Sequence, residues 1–126
     1  MTAALNMTER QFQDTVVDLA AFHGWRVHHV KPGMTSRGNW LTNVQGHVGF
    51  PDLVLAHRGQ AAAGKRLAIL PTLIFAELKS RTGKLSKHQL DWGNALNAVP
   101  GVEYHVWRPV DLERIHDRLR GLPWQN

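Results

Sequence analysis

No cysteine occurs among the 126 residues, which excludes disulfides and thiolate metal centres. That absence fits a reducing compartment such as the cytoplasm. No apolar run approaches the roughly 20 residues that span a bilayer, so no membrane association is expected. Met1 to Thr8 lack a basic stretch followed by an apolar one, so no signal peptide is expected either. Internal repeats, coiled-coil heptads and linkers are missing as well. With 43% hydrophobic and 20% charged residues, the composition is that of a globular chain, and 126 residues suit one domain around one modest core.

Acidic residues are scarce. Ten Asp and Glu face 15 Lys and Arg, giving a formal charge of +5. A pI near 10.2 and eight histidines strengthen the basic balance. Such an excess favours a polyanionic partner, because each basic side chain near a phosphate releases condensed counterions.

Thr8-Glu9-Arg10-Gln11 reads as a capping box, and Phe12, Val16, Leu19, Ala20 and His23 follow at helical spacing until Gly24. Trp25 to Val30 alternates as a strand. Residues 31–49, with Pro32 and glycines at 33, 38, 46 and 49, read as a long loop. Leu53 to Ala56 is a short apolar strand, Gly59 to Lys65 a hairpin tip, and Leu73 to Leu78 a second apolar strand; Leu67 to Leu70 would extend it or pair nearby. Ser86 and Gln89 form a second capping box before a helix to about Val99. Val102 to Trp107 is a further strand, and Pro109-Val110-Asp111 opens a last helix carrying Leu112, Ile115 and Leu119. The expected order is α-β-β-β-α-β-α, an α/β domain with a mixed central sheet flanked by helices.

The chemistry lies in Gly49-Phe50-Pro51-Asp52 and Phe75-Ala76-Glu77-Leu78-Lys79. Side chains two apart on a strand share a face, so Glu77 and Lys79 point the same way. A hairpin between the two strands brings Asp52 close to Glu77. Two carboxylates held together repel unless a cation lies between them, and oxygen ligands without thiolates point to Mg²⁺ or Mn²⁺. The plainer reading is a Glu–Lys ion pair on an edge strand, and Pro51-Asp52 upstream tips the balance against it. The histidines His28, His29, His47 and His57 lack any zinc-binding spacing, and Trp92 and Trp107 are most simply core. Trp40 and Arg37 fall in the long loop, where Trp40 would pack over the core or stack on exposed bases.

Gly-Phe-Pro-Asp, a hairpin, then Glu-Leu-Lys resembles the PD-(D/E)XK nuclease superfamily, and more narrowly the VRR-NUC family. The likeness runs along almost the whole chain: Thr8-Glu9, Gly24-Trp25, Gly49 to Leu53, Glu77-Leu78-Lys79-Ser80, Gly83-Lys84-Leu85-Ser86, Gln89 with Trp92, and Val106-Trp107-Arg108-Pro109. It is to the stand-alone phage-type or bacterial form, one domain over residues 1–126. The resemblance implies a restriction-endonuclease-like core and metal-dependent hydrolysis of DNA. Asp52 and Glu77 would bind the metal with the backbone carbonyl of Leu78, and Lys79 would be the catalytic lysine. Glu9 matches an acid of the family's first helix that would hold a second metal or a bridging water, while also suiting the positive end of the helix dipole. Gln89 matches the family glutamine, while also serving the capping box. Gln89, Trp92, Leu96 and Val99 are expected on one helical face. Lys31, Arg37, Lys84, Ser86 and Lys87 are candidate DNA contacts. The expected product is a homodimer that cuts branched DNA, above all four-way (Holliday) junctions, since two symmetric nicks need two sites. The alternatives are a flap or general duplex or single-strand nuclease, and, in another class, a catalytically silent DNA-binding module.

Overall fold

Thr8 accepts from the Gln11 N–H at 3.1 Å and receives the Gln11 side chain in return, so the expected capping box starts helix α1, Glu9–Phe22. The structure is a computed structural model and describes residues 6–29, 33–34, 40–41 and 45–126. Behind α1 come strands β1 (Arg26–His29), β2 (Gly33–Met34), β3 (Trp40–Leu41), β4 (Leu53–His57) and β5 (Thr72–Leu78). Helix α2 (Lys87–Asn97), strand β6 (Val102–Trp107), a 3₁₀ turn (Pro109–Asp111) and helix α3 (Leu112–Leu119) complete the chain.

The result is a mixed α/β domain. Its main sheet runs β1-β4-β5-β6, antiparallel at the first two pairings and parallel at the third, where α2 makes the crossover. Strand β5 therefore lies between two neighbours. This overturns the edge-strand reading of Glu77 and Lys79 and raises the cost of any polar side chain that β5 carries inward.

Alternation decides what each face holds. Leu53 and Leu55 of β4, Ile74, Ala76 and Leu78 of β5 and Trp107 of β6 are buried with Phe12, Val16 and Ala20 of α1 and Ile115 and Leu119 of α3. The opposite face carries Val54, Phe75, Glu77 and Tyr104, and there α2 packs on β6. Gly93 is what lets it approach: a Cβ at this position would lie 2.7 Å from the Tyr104 ring.

Several details differ from the sequence expectation. The 31–49 segment contains the short antiparallel pair β2–β3, so it is not loop throughout. Leu67 to Leu70 does not extend β5 but pairs nearby, Ile69 forming an antiparallel bridge with Gln60 across the hairpin. Helix α2 stops at Asn97, and its face toward the sheet is centred on Gly93, with Val99 exposed. Trp107 is wholly buried, whereas Trp92 is only half-buried. His57 is a core histidine. It accepts from the Gly59 N–H at Nδ1 (2.9 Å), which leaves Nε2–H to donate to the His23 carbonyl (3.0 Å). Trp25 similarly ties α3 down, donating from Nε1 to the Leu119 carbonyl at 2.9 Å. Among the described residues no helix is long and apolar enough to cross a membrane.

Candidate active site

Antiparallel pairing sets Leu53 against Ala76, so the residue before β4 faces the end of β5. Asp52 takes up that position. Its Oδ2 accepts the Leu78 backbone N–H at 2.8 Å, which pins the carboxylate beside the strand carrying Glu77. In an extended chain the N–H and C=O of one residue leave on the same side, so the Leu78 carbonyl is directed toward the Asp52 edge of β5.

Pro51 is buried and fixes the approach to Asp52. Two residues earlier, Gly49 has φ of +90°, and a Cβ there would meet the His88 backbone carbon at 2.7 Å and the Gln89 nitrogen at 2.9 Å. Both conditions require glycine. The Gly-Phe-Pro-Asp run is thus a chain path laid against the N-terminal turn of α2, with Phe50 wedged edge-on between Phe75 (5.8 Å) and Trp92 (5.0 Å).

Glu77 is 3% exposed in the middle strand. Gln89 Nε2 donates to its Oε1 at 3.1 Å, while the Gln89 Oε1 accepts the Ser86 N–H at 2.9 Å. The two roles weighed for Gln89 are therefore held at once, one by each end of the amide. The same capping box occupies Ser86, whose hydroxyl accepts the Gln89 N–H at 3.2 Å.

The electrostatics follow from this crowding. Burial first, then a hydrogen bond shared with Asp52 and the charge of Asp52, push the Glu77 carboxyl up to about 8. Lys79 opposes the rise, and Glu9 at the start of α1 adds to it. Glu9 is thus near enough to be felt, although it is itself exposed. Among the described residues Lys79 makes no ion pair within 4.0 Å, so the Glu–Lys salt bridge is replaced by a longer-range attraction. The lysine's backbone continues the sheet, with its N–H donating to the Trp107 carbonyl at 3.0 Å.

Tyr104 also belongs to this neighbourhood, and sequence reasoning missed it. Burial, followed by the charges of Glu77 and Asp52, raises its phenol above the usual value. The signal available was parity: Tyr104 is two residues from Val106, which pairs with Glu77 across the parallel ladder. Arg108 was likewise seen only as part of a motif. Its Nη1 donates to the carbonyls of Ser80 and Gly83, both at 2.7 Å, and so shapes the turn after Lys79.

Lys84 and Lys87 are exposed beside that turn. Lys31 and Arg37 lie outside the described residues, as does the side chain of Trp40. Among the described residues no group of three or more His, Asp or Glu side chains converges to hold a metal ion. What the fold assembles is narrower: two carboxylates, one of them buried, a glutamine bonded to the buried one, and a lysine two residues along the same strand. Comparison of the chain with family models, with curated proteins and with solved structures returned no match.

Proposed function

We propose that this chain is a metal-dependent DNA endonuclease of the PD-(D/E)XK type, of the VRR-NUC kind its motifs resemble. One observation carries the reading: Asp52, fixed by the Leu78 N–H at 2.8 Å, lies beside the buried Glu77, whose carboxyl is pushed up to about 8 first by burial and then by Asp52. A fold that gains nothing from the repulsion between the two carboxylates has no physical reason to keep it, whereas a divalent cation converts it into attraction. The donor set fits such an ion, since two carboxylate oxygens and the Leu78 carbonyl are hard ligands of the kind Mg²⁺ and Mn²⁺ take. Bound there, the ion would polarise a phosphate oxygen and acidify a water.

The chain's own residues supply the rest. The Leu78 N–H holds Asp52 toward the site. Gln89 orients Glu77 through its amide. Lys79, free of a direct ion pair among the described residues, keeps its ammonium available to orient a water or to neutralise charge developing on the phosphate. Lys84 and Lys87, both exposed near the start of α2, are the candidate contacts to a phosphate backbone. The sheet order, two antiparallel pairings and then a parallel one spanned by α2, is compatible with the restriction-endonuclease-like core.

Branched DNA cut by a homodimer remains the substrate proposal, on the strength of the resemblance and of the need for two sites. Labelled duplex, flap, splayed and four-way DNAs incubated with purified protein and Mg²⁺ or Mn²⁺ test both parts. Metal-dependent cuts placed symmetrically about the four-way junction support the proposal, and intact DNA in every lane ends it.

A further inference from the structure

Helix α2 carries two neighbouring stripes. Gln89 and Gly93 turn inward to Glu77 and Tyr104. His88, Asp91, Trp92 and Ala95, at helical spacing on the adjacent side, combine with His47 and Val48 to line a recess of about 210 Å³ open to solvent. The recess is built rather than incidental. Trp92 donates from Nε1 to the His47 carbonyl at 3.3 Å, and Phe50 braces the indole edge-on at 5.0 Å. The chain joins it to the site, since Val48 is four residues before Asp52 and His88 immediately precedes Gln89.

We propose that this recess receives a nucleobase of the strand being cut, and that the substrate therefore presents an unpaired base beside the scissile phosphate. The inference rests on the nuclease reading, and at a branch point it requires a base that has left its pair where the strands exchange. The volume suits one base, and the lining combines an indole and imidazoles with the apolar surface of Val48 and Ala95. Bases stack on such aromatic side chains with little regard to sequence. A base within a duplex cannot reach a recess in the protein unless it leaves the stack, so an unpaired base enters at lower cost.

Asp91 adds selectivity. It is the one acid in the lining, and a carboxylate only accepts hydrogen bonds. Guanine offers two adjacent donors on one edge, its ring N–H and its amino group. Thymine offers a single N–H between two carbonyl oxygens that repel a carboxylate. Guanine is accordingly the favoured occupant and thymine the disfavoured one.

The test uses end-labelled single strands of thymine carrying one guanine, the same strands without it, and the guanine strand annealed to its complement. With Mn²⁺, cuts should cluster beside the guanine about tenfold over the all-thymine strand. Annealing should remove that clustering. Ala95→Leu fills the recess without deleting a contact and should reduce cleavage beside guanine at least to the level of the wild-type protein on the all-thymine strand. Asp91→Ala should keep single-strand cutting but lose the guanine preference. In parallel, dGMP titrated into the wild-type chain should shift the Trp92 indole N–H resonance, assigned through Trp92→Phe, and should not shift it in Ala95→Leu. Equal cutting at guanine and thymine, unchanged in Ala95→Leu and with no dGMP-induced shift, overturns the inference while leaving the nuclease reading intact. If the wild-type protein cuts neither these strands nor any DNA of the branched panel, the nuclease reading falls and this inference falls with it; cutting of the branched panel alone overturns only the inference.

Discussion

Glu77→Gln isolates the charge at the centre of the account. The amide keeps the side chain's length and still accepts from Gln89 Nε2, but it removes the ionisation that burial and Asp52 oppose. In metal-free protein the folded-state value of Glu77 is about 8 against an ordinary 4.5, so folding favours the protonated acid. The sign follows from linkage: the stabilising contribution is complete below about pH 4.5 and is lost progressively as pH rises toward 8. A pKa difference of this size, at about 1.4 kcal/mol per unit, sets a ceiling of about 5 kcal/mol. Asp52 is only half-buried, and water reaching the pair reduces the expected figure to about 2 to 3 kcal/mol. Urea unfolding in the presence of a chelator, at pH 5 and pH 8.5, measures this directly. Subtracting wild type from variant at each pH cancels the other titrating groups, the histidines included. The variant should gain about 2 to 3 kcal/mol on the wild type between the two pH values, a shift of several degrees in Tm. Mn²⁺ should then restore the wild type and leave the variant almost unmoved. A difference between the two proteins that does not change with pH would refute the reasoning, because the carboxylates would not be opposing each other in the fold.

Lys79→Ala should cut turnover roughly a hundredfold or more while sparing Mn²⁺ affinity in calorimetric titration, since an ammonium is not a ligand. Loss of metal affinity to match Asp52→Ala would assign it a structural role instead. Gly49→Ala combines a positive φ with a Cβ placed 2.7 Å from the His88 backbone, so it should cost about 2 kcal/mol or more and displace Asp52. Urea unfolding and cleavage rate should fall together, and a wild-type rate in this variant would show that the 49–52 path does not position the site. Light scattering at micromolar concentration should give a dimer, and a strict monomer that nicks flaps but ignores four-way junctions would promote the flap-nuclease alternative.

Much of the scaffold could be read from local chemistry. Thr8 with Gln11 and Ser86 with Gln89 are capping boxes in the sequence and in the fold, because a cap depends only on residues three apart. The strand Val102 to Trp107 was likewise legible from its own pattern. What escaped depends on partners distant in sequence. That β5 is interior and not an edge follows from its parallel pairing with β6, which no local window records. The α2 contact face was misplaced for a related reason. Trp92 looked like the residue to bury, yet the sheet is met by Gly93, whose missing side chain makes room for the Tyr104 ring. At the site, Asp52, Glu77 and Lys79 stood out because polar residues in apolar strands are costly. Tyr104 and Arg108 did not, since each sits in a segment where its side chain looks ordinary until the register is known.

The most direct test of the central claim is cleavage of a labelled four-way DNA by rigorously purified wild-type and Glu77→Ala proteins, with and without Mn²⁺. The account predicts cleavage by the wild type only when metal is present, and none by Glu77→Ala, which should remain folded. Cleavage by Glu77→Ala equal to that of the wild type would contradict it.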